Sequence, residues 1–152
     1  IQDFPQICDL VAGLPCESGP QVVPHSLRGI CLRQLSSISA AFLDSGWLQA
    51  QCENFNNTHK AAIEDGRLSA MRESTTALDS FMVRRVTAPN ADLRRTISAE
   101  MLVQANIDKV PMVETSYSEM VNPHGLVSDF FVSHEWGQSL DVAVKTLAPC
   151  GA

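Results

Sequence analysis

The stretch Asp129-Phe130-Phe131-Val132-Ser133-His134-Glu135-Trp136-Gly137 decides how the fold is read. Its first half is apolar and its second half turns abruptly polar. Leu126, Ser128, Phe130 and Val132 fall on one side of an extended chain, and Val127, Asp129 and Phe131 on the other. Both sides are apolar at the centre, which predicts a strand covered on both faces. Ser139 then stands where it can cap a helix carrying Leu140, Ala143, Val144 and Leu147 at i, i+3, i+4 and i+7. Asp141 comes early and Lys145 late, as the helix dipole prefers, and Pro149 marks the stop. The polar cluster from Ser133 to Gln138 is therefore expected in the loop leaving the carboxyl end of a buried strand, where open α/β sheets hold their ligands.

Outward from this stretch, Asn122-Pro123-His124-Gly125 predicts a tight turn into the strand. Val110 to Ser116 reads as a second strand, confined to an edge or end by Pro111. A third, Phe81 to Thr87, ends at Ala88-Pro89-Asn90. The rest of the body is helical. A stripe of Leu27, Ile30, Cys31, Leu35, Ile38, Ala41 and Phe42 predicts a helix from His25 to a stop at Asp44-Ser45-Gly46. A second helix starts near Trp47, with Leu48, Cys52 and Phe55 in register, and runs toward Ile63 until Asp65-Gly66. A third is expected from about Leu68 to Phe81, and a fourth from Ala91 or Ser98 to Ala105 with Asn106 as cap. Residues 1–24, with Pro5, Pro15, Pro20 and Pro24, form a loop-rich N-terminal arm. Residues 25–152 form a single helical domain with a C-terminal strand-helix unit. The fold class expected is α+β, mainly helical, with about four or five helices packed on a small sheet of two or three short strands.

The 152 residues carry 45% hydrophobic and 18% charged side chains, which suits one globular domain rather than a disordered chain. A net charge of −6 argues against a nucleic-acid partner, and the pairs Arg84-Arg85 and Arg94-Arg95 read as solvated faces. No apolar run reaches the roughly 20 residues of a bilayer span, so direct membrane insertion is not expected. The five cysteines show no CxxC spacing, and Cys31 and Cys52 read as buried hydrophobes of an intracellular reducing compartment. Cys8 and Cys16 are the one pair placed to bridge a loop. Ile1 in place of methionine suits a processed or partial chain, and with it an organelle interior, plastid or mitochondrion, or else the cytoplasm.

The segment Glu119-Met120-Val121-Asn122-Pro123-His124-Gly125-Leu126, together with Asp129 to Gly137, resembles a group of uncharacterised algal and protist proteins, dinoflagellate-type ones especially. Those carry an ELV-NP-GL turn followed by a W/F-F-V-S-H-x-W-G motif. Phe81 to Pro89 also resembles the short basic strand preceding that turn, so the likeness covers about the last 70 residues. In that group the motif is similar to the first strand and box of TIR-like domains, which implies a parallel sheet continuing well past it. Some TIR domains cleave NAD with a glutamate several elements downstream of the box. Here one short helix follows, and Glu135 does not match that position, so an intact TIR-type NADase is not expected.

Ser133, His134, Glu135 and Trp136 are the candidate ligand-binding residues. Adjacent residues on an extended chain point in different directions, so Ser133, His134 and Glu135 do not read as a catalytic triad. Gln138 breaks the HExxH zinc pattern, and His25 and His59 have no second donor at ligand spacing. No catalytic residue, metal or cofactor is expected. In the plainer reading His134 caps the strand end, Trp136 packs under the helix and Gly137 permits the turn. Two functions follow: a non-catalytic interaction domain or accessory subunit docking on protein partners in a larger, organellar assembly, photosynthetic or respiratory; or a TIR-like α/β ligand-binding or hydrolytic domain using the loop around His134.

Overall fold

The structure, a computed structural model, describes residues 23–89, 97–108, 111, 113–130, 132–133 and 135–151. A 3-10 turn at His25–Leu27 leads into α1, Leu32–Ile38, which continues as a π-helical turn, Ser39–Asp44. The helix starts later than its apolar stripe predicts, because Cys31 is the N-cap. Its side chain faces the first turn's N–H groups, and Gln34 Oε1 accepts from the Cys31 N–H at 2.9 Å. Cys31 is consequently exposed, not buried as its stripe position suggests.

Gly46 at φ +79° takes the left-handed turn that ends this helix and begins α2, Trp47–Thr58. After a break at His59 comes α3, Lys60–Glu64, ended by Gly66 at φ +74°. On α2 the Asn56 amide grips the Met71 main chain in both directions, at 3.0 and 2.7 Å.

The next helix begins at Thr75, not Leu68, and runs on past Phe81 as α4 (Thr75–Leu78), a π-helical turn (Asp79–Val83) and α5 (Arg84–Thr87). The strand expected at Phe81 to Thr87 is therefore helix. Leu78, Phe81, Met82 and Val86 form one buried helical stripe while Arg84 stays exposed. Ser98 caps α6, Ala99–Gln104, by accepting from the Met101 N–H. Ser116 caps α7, Tyr117–Val121, an element that the strand reading of Val110 to Ser116 hid. Thr115 instead donates its N–H to the Thr87 carbonyl. Last is α8, Leu140–Leu147, as expected, with Lys145 and Asp141 paired at 2.7 Å, followed by a 3-10 turn at Ala148–Gly151.

The mainly helical part of the expected fold class holds, but the small sheet does not. Among the described residues there is no strand, and only two isolated bridges occur, Arg28 with Leu126 and Ser74 with Ser139. The core centres on the π-helical Ser39–Asp44, which touches α2, α6 and α8. Phe42, Leu48, Met82, Val86 and Leu102 are its largest sealed side chains apart from Pro111. The N-terminal arm, residues 1–24, lies outside the described residues except for Val23 and Pro24, so its expected loop character and any Cys8–Cys16 bridge lie there too. No helix among the described residues is long and apolar enough to cross a membrane.

Candidate functional site

The described residues of the Asp129 to Gly137 stretch are exposed and lie between two anchors. At its start, Leu126 N–H donates to the Leu27 carbonyl at 2.8 Å, and Asn122 Nδ2 donates to the Gly29 carbonyl at 2.9 Å. Gly125 makes this approach possible: it sits at φ +84°, and a Cβ there would come within 2.8 Å of Leu27 Cβ. Beneath it Arg28 Nε meets the buried Glu119 carboxylate at 2.7 Å, and Thr115 Oγ1 donates to the same carboxylate at 2.6 Å. The predicted turn at Asn122 to Gly125 is present, closed by a bond from Gly125 N–H to the Asn122 carbonyl.

At the far end the Trp136 carbonyl accepts from both the N–H and the hydroxyl of Thr76, each at 3.1 Å. The main chain turns at Glu135–Gln138, and Leu140 N–H donates to the Glu73 carbonyl. The N-terminus of α4 thus grips the loop by its backbone and leaves the indole free. No sequence signal pointed to Thr76 or Glu73, because these bonds involve main-chain atoms distant in the chain.

Between the anchors four apolar side chains of the described residues face water. Val127 is 71% exposed, Phe130 69%, Val132 46% and Trp136 59%. The buried central strand expected here is contradicted, since no neighbouring strand exists among the described residues to pair it. Trp136 does not pack under the helix. Ser133 and Glu135 are both exposed and make no side-chain hydrogen bond among the described residues, while His134 lies outside them. A strand-end pocket would need a sheet, and none occurs among the described residues.

Elsewhere the titratable groups serve the fold. Burial pushes the Cys52 thiol up to about 11, with the charges of Glu73 and Glu53 adding to the effect. The Tyr117 hydroxyl is raised by burial and donates to the Ala105 carbonyl at 2.8 Å. Arg84 pairs with Asp79, and the Arg85 guanidinium lies 5.8 Å from the Phe81 ring centre. Arg94 and Arg95 lie outside the described residues. His25 and His59 are exposed, and no group of three or more His, Cys, Asp or Glu able to hold a metal occurs among the described residues. No protein-family model, curated protein or solved structure matches the chain.

Proposed function

We propose that this chain is a non-catalytic interaction domain or accessory subunit that docks on a larger protein assembly. The observation that carries the reading is the loop tethered at Leu126 and Trp136, which holds Phe130 and Trp136 out in solvent. Large aromatic side chains on a positioned loop supply contact area at low entropic cost, and they dominate the energetics of many interfaces. An organellar assembly, photosynthetic or respiratory, is supported by the motif likeness alone. The free thiols of Cys31, Cys52 and Cys150 support an intracellular reducing compartment. The alternative, a TIR-like ligand-binding or hydrolytic domain, needs a parallel sheet beneath the His134 loop, and no observation among the described residues favours it.

The test compares the wild-type chain with a Phe130→Ser/Trp136→Ser variant, each tagged and expressed in the source cells. Native mass and reconstitution with the purified, identified partner are the readouts. The wild type should run well above its monomer mass, and the variant should run as a monomer with an unchanged circular dichroism spectrum. A monomeric wild type, or a complex indifferent to both substitutions, would sink the proposal.

A further inference from the structure

Building on the interaction reading, we propose that the segment carrying Val127, Phe130 and Val132 docks by adding a β-strand to the exposed sheet edge of a partner protein whose flanks are basic. Its residue types favour a strand, and Phe130 and Val132 share one face of an extended chain. Yet no strand among the described residues pairs with it. Among the described residues, the main-chain N–H and C=O groups of Val127, Ser128, Asp129, Phe130, Val132 and Ser133 make no hydrogen bond. Such unpaired groups beside apolar side chains are what strand addition consumes: main-chain bonds supply affinity and alternate side chains supply specificity. Both ends are already tied, at Leu27 and at Thr76, so only the intervening residues lose freedom on docking.

Charge selects the occupant. From Leu126 to Gln138 the only Asp, Glu, Lys or Arg residues are Asp129 and Glu135, in a chain of net charge −6. A second copy would bring the same two carboxylates against themselves. Natural edge strands, by contrast, are commonly guarded by lysines, which complement this segment.

The experiment uses the full chain with three peptides of about ten residues, the length of a long strand. One alternates Lys and Val, one alternates Glu and Val, and the third is the Lys-Val peptide with central prolines. The Lys-Val peptide is expected to slow amide exchange at Val127, Phe130 and Val132 by at least about tenfold, with binding that weakens as salt rises. The other two peptides should leave these amides unprotected. Val132→Pro should weaken binding by at least about tenfold by removing a donor from the ladder. An Asp129→Lys/Glu135→Lys variant should reverse the preference toward the Glu-Val peptide. Equal binding of all three peptides, no protection in this segment, or a peptide-free dimer protecting the same amides would each overturn strand addition to a basic edge. If the peptides fail while the complex from source cells still requires Phe130 and Trp136, strand addition falls and the interaction domain stands.

Discussion

At Glu119 a carboxylate is shut away from water and kept there by Arg28 and the Thr115 hydroxyl. Glu119→Ala strips that pairing and leaves the Arg28 side chain with the Val23 carbonyl. The expected cost is about 2 kcal/mol, below the ~3–5 kcal/mol of a fully buried pair because Arg28 still reaches solvent. A drop in the urea midpoint at constant slope checks it. Cys52 makes a second prediction. Its thiol holds its proton more tightly folded than unfolded, so this contribution to stability is whole below pH 9.0 and lost as pH rises toward about 11. The urea midpoint of the wild type should therefore fall more steeply across that window than the midpoint of Cys52→Ala. At mildly alkaline pH, iodoacetamide should modify Cys52 at least about tenfold more slowly than the exposed Cys31 and Cys150. Equal rates would mean that α2 opens freely. The sequence reading packed the Trp136 indole under the helix, and the structure leaves it 59% exposed. Indole burial depends on what packs above it, and nothing local encodes that.

At the scale of elements, the legible features were those with a local cause. Gly46 and Gly66 end helices at positive φ, Ser98 caps α6, and the period of Leu140, Ala143, Val144 and Leu147 sets α8. The turn at Asn122 to Gly125 belongs with them, and it yields the third prediction. Gly125→Ala combines a left-handed backbone with a Cβ pressed on Leu27, so it should destabilise by about 2–4 kcal/mol. It should also speed amide exchange at Leu126, whose bond to Leu27 depends on the close approach. Short apolar windows misled. Phe81 to Thr87 and Val127 to Val132 look alike over a few residues, yet the first is helix and the described residues of the second belong to no helix or strand. The first continues a stripe begun at Leu78, a spacing visible only in a longer window. The second has residue types that favour a strand, and no strand among the described residues pairs with it.

For the molecule as a whole, Phe42 and Trp136 mark the two extremes of the apolar surface. Phe42 is sealed at the hub and stacks edge-on to Trp47 at 5.1 Å, so Phe42→Ala should cost about 3–5 kcal/mol, much of the roughly 5–15 kcal/mol that holds a domain together. Trp136→Ser should change stability by no more than about 0.5 kcal/mol, because the anchor to Thr76 uses its carbonyl, not its indole. Thermal melts of the two variants make the comparison, and a large loss from Trp136→Ser would mean that the loop is packed. By itself the sequence determined a mainly helical chain, core positions such as Ile38, Phe42, Leu48 and Cys52, several helix ends and the turn before the loop, because periodicity, caps and glycines act within a few residues. Only the tertiary structure decided that no sheet forms among the described residues and that Val127, Phe130, Val132 and Trp136 face solvent. Strand pairing and burial are settled by distant main-chain partners, and here those partners are the Leu27 turn and the first turn of α4, which hold the loop by its ends and leave its apolar middle uncovered.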